Sequence, residues 1–424
     1  MPGCRHPPRE RAVSAADAAD SEGAAGADVV IVGASVGGLT VAQALRRRGF
    51  RGSLALIGAE RELPYDRPPL SKEVLSGQWP AARTRLRERP ELDGLDLDLR
   101  LGRPAVALDA ARRRVTLRDG STLRYGRLVV ATGAHARRLP GQAELAGVHT
   151  LRTLDDSARL REDLRTARRT VVVGAGVLGC EIAATLRGLG LPVALLEPAQ
   201  YPMERLLGPT IGGELARLHT EHGVRMLTST PVTGLAGADG RVTGVRTASG
   251  EVVAGDVVVV AVGARPATDW LAGSGLTVDD GLVCDDRCRA ADGVYAVGDV
   301  ARFGASGGTA ERGVRLENRT NATEQAMFVA ADILGAAARY RPVPYFWSDQ
   351  YRARIQVYGT VPARSSIRIV EGTLDSRRFV AHAEAAGQLV AVIGWNAPGR
   401  LRTARGLLHD TAGSGPAARV SRGP

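Results

Sequence analysis

The chain has 424 residues, a length that suits two or three domains, and a formal net charge of +11. A basic excess of this kind is compatible with nucleic acid, an acidic membrane surface or an acidic protein as partner, and it selects none of them. The four cysteines are too few for a disulfide scaffold and lack iron–sulfur or zinc spacing, so we expect a cytoplasmic protein without a bound metal. No apolar stretch has the length of a transmembrane helix, and no secretory signal is evident.

The first predicted elements follow a tail. Residues 1–26, rich in Pro, Arg, Ala and Asp, are expected to be disordered. A short apolar strand over 28–32 then leads into a Gly-rich turn, a helix that ends at Gly49 and a second strand over 54–57. This order is typical of the first half of a dinucleotide-binding unit.

The Gly-rich turn has the spacing of the dinucleotide fingerprint, with serine where the second glycine is usual. Gly33 suits the tight turn, and the small Ser35 lets the backbone approach a pyrophosphate. Gly37 and Gly38 open the helix, and Gly38 allows close packing of the helix on the sheet. Glu60, placed after the second strand, is a candidate to bind an adenosine ribose hydroxyl.

The same order of strand, Gly-rich turn, helix and strand recurs later in the chain. A strand over 171–173 is followed by a Gly-rich turn, a helix to about Gly190 and a strand over 192–197. Alternating strands and helices predict an α/β fold with parallel sheets. Two such units so far apart in sequence predict two separate nucleotide sites.

The second turn carries a complete fingerprint, formed by Gly174, Gly176 and Gly179. Glu197 closes the next strand. An acid there binds the ribose 2′-hydroxyl of NAD and repels the 2′-phosphate of NADP, which favours NADH. Arg205 is near enough in sequence to leave NADPH open.

Six segments, in order along the chain, resemble a known family. Residues 64–72 read PYDRPPLSK, and the others are LVVATG at 128–133, LRTLDD at 151–156, GARP at 263–266, YAVGDV at 295–300 and FWSDQ at 346–350. Together they closely resemble the FAD-dependent NADH:ferredoxin reductases that serve cytochrome P450s and ring-hydroxylating dioxygenases. The resemblance runs along nearly the whole chain.

The resemblance implies two Rossmann-like dinucleotide-binding domains of the glutathione-reductase type and a small α+β C-terminal domain. The expected boundaries are an FAD domain over 27–145 and 266–325, an NAD domain over 146–265, a C-terminal reductase domain over 326–410 and a flexible tail over 411–424.

The resemblance also implies the site residues. The expected FAD contacts, beyond the first turn, are Arg67, Lys72, Ala131, Thr132, Gly133, Gly298, Asp299 and Trp347, and Gly263 is expected at the NAD site. Asp299 is expected to bind a ribityl hydroxyl, and Trp347 to shield the isoalloxazine.

Lys72 is the only lysine in a chain that otherwise uses arginine. Lysine offers a compact point charge where arginine has a planar fork, so a lone lysine suggests a site that arginine does not fill. The family resemblance places Lys72 beside the flavin N5, paired with Glu181. Lys72, Glu181 and Trp347 are therefore the expected catalytic residues.

The reaction implied is hydride transfer from NADH to N5 of FAD, followed by single-electron transfer to an iron–sulfur ferredoxin. A basic reductase suits a transient complex with an acidic ferredoxin, and we expect no nucleic acid or membrane partner. The chain is expected to be a monomer or a homodimer. Arg319 stands where the family often has tryptophan, at a position near the flavin edge or the partner surface.

Several alternatives remain open. The acceptor could be rubredoxin, a nitrite reductase component or a quinone, or the protein could be a redox module of the apoptosis-inducing-factor type. The region after the first nucleotide loop has no CxxxxC pair, which excludes a dithiol relay of the glutathione-reductase kind. Cys284 and Cys288 are expected to be free thiols, and Cys180 a small buried residue.

Overall fold

The computed structural model describes residues 25–304 and 313–412. Most of each predicted tail therefore lies outside the described residues. Ala25 and Gly26, assigned to the disordered N-terminal tail, instead pair with Leu123 and Arg124 in the first sheet. Residues 411 and 412, assigned to the C-terminal tail, belong to the last helix.

The first unit is built on a parallel sheet. In chain order its elements are β1 (Ala25–Val32), α1 (Val36–Arg47), β2 (Leu54–Ile57), α2 (Arg89–Asp93), β3 (Leu97–Arg100), β4 (Ala105–Asp109), β5 (Arg114–Leu117), β6 (Thr122–Val130) and β7 (Ala134–Ala136). Strand β1 lies between β2 and β6, and β3 extends the sheet beyond β2, all in parallel. Strands β4 and β5 form an antiparallel hairpin joined to β6.

The second unit repeats the parallel arrangement. Its elements are β8 (Val148–His149), α3 (Leu154–Leu164), β9 (Thr170–Val173), α4 (Val177–Gly188), β10 (Val193–Leu196), α5 (Glu204–Glu221), β11 (Val224–Leu227), β12 (Val232–Ala238), β13 (Arg241–Thr247), β14 (Val252–Ala254), β15 (Val257–Val260) and β16 (Ala264–Pro266). The main sheet has the order β11–β10–β9–β15–β8, and β12–β13–β14 form an antiparallel meander. Strand β16 pairs with β7 and so joins the second unit to the first.

The chain then returns to the first sheet. The elements of this part are β17 (Leu282–Val283), β18 (Arg289–Ala291), β19 (Val294–Ala296), β20 (Ala301–Phe303), β21 (Val314–Arg315) and α6 (Arg319–Ile333). Strand β19 pairs in parallel with β6, which gives the order β18–β19–β6–β1–β2–β3. Helix α6 packs against α1.

The C-terminal unit is an antiparallel sheet with one helix. Its elements are β22 (Tyr345–Gln350), β23 (Ala353–Gly359), β24 (Ser366–Thr373), β25 (Arg378–Ala385), β26 (Gln388–Trp395) and α7 (Pro398–Ala412). The strand order is β22–β23–β26–β25–β24, and α7 packs on β26. Two parallel α/β units and an α+β unit are the predicted fold class.

Four strands of the two parallel sheets are buried along their whole length. Every residue of β2, β9, β10 and β15 is buried, and each of these strands is almost entirely aliphatic. Strands covered by other elements on both faces read in this way, because neither face meets water. The predicted alternation of strands and helices is therefore confirmed at these positions.

The two helices end two residues before the glycines at which the sequence placed their ends, for a single reason. Helix α1 ends at Arg47 and α4 at Gly188, while Gly49 and Gly190 have φ of +89° and +82°. Glycine commonly takes this left-handed conformation just past the end of a helix, because it has no Cβ to clash. The two glycines mark the turn after each helix.

The cores show how the units are joined. Leu207 and Leu215 of α5 lie in the same buried cluster as Ile355 and Phe379 of the C-terminal sheet. The second unit and the C-terminal unit therefore share apolar surface, which fixes α5 against that sheet.

Helix α6 crosses the boundary that the sequence suggested between residues 325 and 326. Ala326 and Val329 are fully buried in the core of the first sheet. We therefore propose that the FAD domain extends to Ile333 and that the C-terminal domain begins after it.

Candidate functional site

The first Gly-rich turn joins β1 to α1 and lies against the turn after β6. Gly33 has φ of +123°, and a Cβ there would sit 2.0 Å from the carbonyl oxygen of Ala131. A Cβ on Gly38 would sit 1.9 Å from the carbonyl oxygen of Gly33. Ser35 is the N-cap residue of α1, and its side chain caps no backbone N–H. The helix N-terminus therefore remains available for a phosphate.

The second turn has the same geometry between β9 and α4. Gly174 has φ of +96°, and a Cβ on Gly179 would sit 1.8 Å from the carbonyl oxygen of Gly174. A Cβ on Gly176 would meet nothing within 4 Å, so open space lies in front of the turn. Both turns thus fit a dinucleotide: glycine is required behind each turn, and the helix N-terminus faces free space.

Glu197 lies at the end of β10, beside the second turn. Its carboxylate accepts hydrogen bonds from the backbone N–H of Ala175 at 2.6 Å and of Ala199 at 3.0 Å. These two donors fix an acidic group at the edge of the second turn, where the sequence placed it.

The two turns open onto a single cavity of about 910 Å³. Its volume is that of a cofactor-binding cleft. Thirteen of the predicted site residues line it: Ser35, Gly37, Arg67, Lys72, Ala131, Thr132, Gly133, Gly176, Glu181, Gly263, Gly298, Asp299 and Trp347. The other six, Gly33, Gly38, Glu60, Gly174, Gly179 and Glu197, are not among the lining residues.

Lys72 and Glu181 form an ion pair inside this cavity. The Lys72 ammonium lies 2.8 Å from Glu181 Oε2, with side-chain exposures of 15% and 7%. Ser71 donates to the same oxygen at 2.6 Å, and Ser348 donates to Glu181 Oε1 at 2.9 Å. A buried carboxylate needs such partners to remain charged. The sequence motifs contained both serines, but their contact with Glu181 was not predicted.

Asp299 follows the left-handed Gly298 and points toward the second unit. It forms an ion pair with Arg152 at 2.6 Å, and Arg152 also lines the cavity. Arg152 is a site residue that the sequence did not single out, although it lies in the LRTLDD segment.

Both carboxylate oxygens of Glu60 accept hydrogen bonds from neighbouring side chains. Arg67 donates to Glu60 Oε1 at 2.7 Å, and the Tyr65 hydroxyl donates to Glu60 Oε2. Two residues expected to contact FAD therefore hold each other in place. Tyr65 was not predicted, and its burial raises the pKa of its phenol.

Trp347 belongs to a row of aromatic rings on the C-terminal sheet. Its ring lies 6.0 Å from that of Tyr345, which stacks at 4.4 Å on Tyr358. Both Trp347 and Tyr345 line the cavity. The rings of Tyr345 and Trp347 therefore form part of one wall of the cavity.

The comparison with protein families decides what kind of cavity this is. The model of the pyridine nucleotide-disulphide oxidoreductase family matches residues 27–326, and that of the reductase C-terminal domain matches residues 345–421. The chain belongs to the pyridine nucleotide-disulphide oxidoreductase family. The predicted enzyme class is thereby confirmed, and the expected cofactors, FAD and NAD(H), follow with it.

Relatives of this oxidoreductase match over most of their length. Rhodocoxin reductase of Rhodococcus erythropolis is 38% identical over 382 residues, covering 90% of this chain and 89% of that protein. The ferredoxin–NAD(+) reductase subunit of the benzene 1,2-dioxygenase system of Pseudomonas putida is 37% identical over 373 residues, with coverages of 87% and 89%. The covalent putidaredoxin reductase–putidaredoxin complex contains a chain with a TM-score of 0.84 and 34% identity, covering 91% of this chain and 94% of that one. The predicted resemblance is confirmed.

Three cysteines of the oxidoreductase lie in the described part of the chain. Cys180, Cys284 and Cys288 are buried free thiols. Burial was predicted for Cys180, and free thiols were predicted for Cys284 and Cys288. Burial raises the pKa of Cys180 well above its usual value and that of Cys288 to about 12. Such thiols stay protonated and unreactive at neutral pH. None of the described residues that line the cavity is a cysteine.

Arg319 of the oxidoreductase bridges two parts of the cavity rim. Its guanidinium Nε lies 2.7 and 2.9 Å from the two carboxylate oxygens of Asp66. Both residues line the cavity. The arginine therefore ties α6 to the loop that carries Lys72.

A buried histidine lies behind the cavity and gives a prediction for stability. His219 on α5 is fully buried, and burial lowers its pKa from 6.5 to about 4. The unfolded chain takes up a proton near pH 6.5 that the folded chain does not. The contribution of neutral His219 to the free energy of unfolding is therefore fully present above pH 6.5 and is lost as the pH falls toward 4.

We expect His219→Gln to make the unfolding free energy less dependent on pH in this window. The largest difference in slope is about 1.4 kcal/mol per pH unit, the value for one proton. Urea unfolding of both proteins at several pH values measures it. Parallel curves for the two proteins between pH 4 and 6.5 would contradict the prediction.

Proposed function

We propose that this chain is an FAD-containing, NADH-dependent reductase that passes electrons to an iron–sulfur ferredoxin serving a cytochrome P450 or a ring-hydroxylating oxygenase. One observation carries this proposal: both dinucleotide turns open onto one cavity whose described lining has no cysteine. Without a dithiol, electrons from NADH have to leave the cofactor for an external acceptor. The names of the relatives support a ferredoxin as that acceptor.

FAD supplies the step between a two-electron hydride donor and a one-electron acceptor. The chain's own residues bind and orient. The N-termini of α1 and α4 are proposed to hold the two pyrophosphates. Lys72, held by Glu181, is proposed to lie beside flavin N5, where a compact charge stabilises negative charge. Trp347 closes one side of the cavity against water.

The remaining contacts are proposed residue by residue. FAD is proposed to contact Gly33, Ser35, Gly37, Gly38, Glu60, Arg67, Ala131, Thr132, Gly133, Gly298, Asp299 and Trp347. NAD(H) is proposed to contact Gly174, Gly176, Gly179, Glu197 and Gly263. The fixed carboxylate of Glu197 supports NADH, because it would repel a 2′-phosphate.

We propose a transient complex with an acidic ferredoxin. The net charge of +11 supports it. Of the five arginines that line the cavity, four are ion-paired with carboxylates: Arg67, Arg152, Arg315 and Arg319. Local pairing leaves the overall charge of the chain, rather than these side chains, to steer the partner.

The location and assembly of the protein are also proposals. Few cysteines and buried thiols support a cytoplasmic location. Among the described residues, no helix is both long and apolar enough to cross a bilayer. We propose a monomer or a homodimer that binds neither nucleic acid nor membranes.

Stopped-flow absorbance of the flavin tests the function. We expect rapid bleaching by NADH, slower bleaching by NADPH, and recovery of the colour on adding an acidic two-iron ferredoxin. The recovery should slow as salt is raised, since screening weakens steering over about 10 Å at 0.1 M.

Other acceptors serve as the contrasting arms of the same experiment. Recovery with rubredoxin or a quinone, but with no ferredoxin, would overturn the proposed partner and keep the reductase. A purified protein without flavin absorbance, or one that NADH does not bleach, would overturn the reductase itself.

A further inference from the structure

A chain of buried polar side chains leads from Glu181 to the far side of the second unit. Ser348 Oγ lies 2.9 Å from Glu181 Oε1, and Gln350 Nε2 lies 3.0 Å from Ser348 Oγ. Gln350 Oε1 lies 2.9 Å from His219 Nε2, and the Tyr351 hydroxyl lies 3.1 Å from His219 Nδ1. We call Ser348, Gln350, His219 and Tyr351 the polar chain.

The direction of these hydrogen bonds is set by one neighbour. Gln350 Nε2 also lies 3.7 Å from the sulfur of Met203, and a thioether accepts but does not donate. The amide nitrogen therefore faces Ser348, and the amide oxygen accepts from His219 Nε2–H. Ser348 then has its hydroxyl proton free for Glu181. Every donor in the polar chain points toward the carboxylate.

Burial makes these contacts costly to leave incomplete. Ser348, Gln350 and His219 are each at most 1% exposed, and Glu181 is 5% exposed. Polar groups in such surroundings lose free energy unless each is paired. Apolar side chains would fill the same space at lower cost, so stability alone does not account for the polar chain.

The polar chain also joins three parts of the fold. Glu181 and His219 belong to α4 and α5 of the second unit, whereas Ser348 and Gln350 lie on the same face of β22. Lys72, on the other side of Glu181, belongs to the first unit. The position of the carboxylate is therefore fixed from the C-terminal sheet.

We propose that the polar chain is a positioning network that keeps the Glu181 carboxylate turned toward Lys72. The inference rests on the proposed function, in which Lys72 lies beside the flavin. Two donors, Lys72 and Ser71, hold one carboxylate oxygen, and the polar chain holds the other. Without the polar chain the carboxylate is free to rotate away from Lys72.

Other titratable groups lie near Glu181 and the polar chain. Among the described residues they include Lys72, Cys180, His222, Tyr351 and Arg187, and Arg67 and Arg205 are among the charged residues that line the same cavity. Of the cations, only Lys72 forms an ion pair with Glu181 among the described residues.

Two variants break the network with little change in volume: Ser348→Ala and Gln350→Met. We expect flavin reduction by NADH to slow about tenfold in each, the effect of about 1.4 kcal/mol. The pH profile of this rate should also differ from that of the wild type, because fewer donors hold the Glu181 carboxylate in place. The flavin midpoint potential without NADH should fall, because the Lys72 cation is then held less firmly beside the flavin.

Matched variants show whether the polar chain positions Glu181 or only holds the units of the fold together. Ser157→Ala removes another buried hydroxyl, which donates to Leu70 O at 3.3 Å and does not touch Glu181. It should leave rate, profile and potential unchanged. His219→Gln keeps a donor for Gln350 and should stay within about twofold of the wild type, whereas His219→Leu should resemble Gln350→Met.

Failure of the positioning role and failure of the proposed function give different results. If Ser348→Ala and Gln350→Met lose only thermal stability and keep the wild-type profile and potential, the polar chain is merely a structural cross-link. If the wild type itself holds no FAD or is not reduced by NADH, the proposed function fails instead.

Discussion

Gly179→Ala is expected to weaken NADH binding about 100-fold while FAD remains bound. A Cβ at this position would lie 1.8 Å from the carbonyl oxygen of Gly174, so the turn and α4 would have to move apart. Overpacking of this kind costs up to about 3 kcal/mol, which corresponds to that factor. Titration with NAD⁺, followed by flavin absorbance, measures the affinity, and the visible spectrum measures FAD content.

The same helix supplies a control. Gly188 is the last residue of α4, and a Cβ there would meet nothing within 4 Å. Gly188→Ala should bind NAD⁺ as the wild type does and should be more stable by up to about 1 kcal/mol, because alanine is the better helix former. Wild-type affinity in Gly179→Ala would contradict the role given to the second turn. Loss of FAD in the same variant would indicate general unfolding.

The two nucleotide turns could be predicted because each depends on local backbone geometry. Gly33 and Gly174 take conformations that favour glycine, and the glycines five residues later allow a close approach of helix and strand. These requirements act over a few residues and leave a fixed spacing in the sequence. The two Gly-rich turns and the parallel sheets were therefore predicted correctly.

Contacts between residues far apart in the sequence leave no fixed spacing by which they could be recognised. Glu181 and Ser348 are 167 positions apart, and Arg319 and Asp66 are 253 apart. Only the packing of three units against one another brings these side chains together. The pairing of Lys72 with Glu181 was expected solely through the family resemblance, and the serines beside it were missed.

The proposed extension of the FAD domain to Ile333 depends on a long-range contact of the same kind. A helix that contributes to the first core carries no signal of the sheet it packs on, since any buried apolar face has the same period. The sequence led to a boundary between residues 325 and 326, with no helix assigned across it. Packing of α6 on α1 decides which unit it belongs to.

Lys72→Met is expected to slow reduction of the bound FAD by NADH about 100- to 1,000-fold, the usual effect of removing one electrostatic contact to developing charge. Lys72 is the only lysine of the chain, and its side chain is 15% exposed. Arg85→Met is the matched control, because it removes a cation that is 43% exposed and paired with Glu88 on the surface. That variant should react at the wild-type rate.

Stability and chemistry can be separated, since Lys72→Met also leaves Glu181 without its cation, which is costly in a buried pair. The double variant Lys72→Met/Glu181→Gln removes both charges and should regain much of the unfolding free energy without regaining the rate. Lys72→Arg keeps the charge but brings a planar fork, and should recover stability more fully than rate. Wild-type reduction by NADH in Lys72→Met, with FAD content unchanged, would remove Lys72 from the reaction and leave the pair a purely structural one.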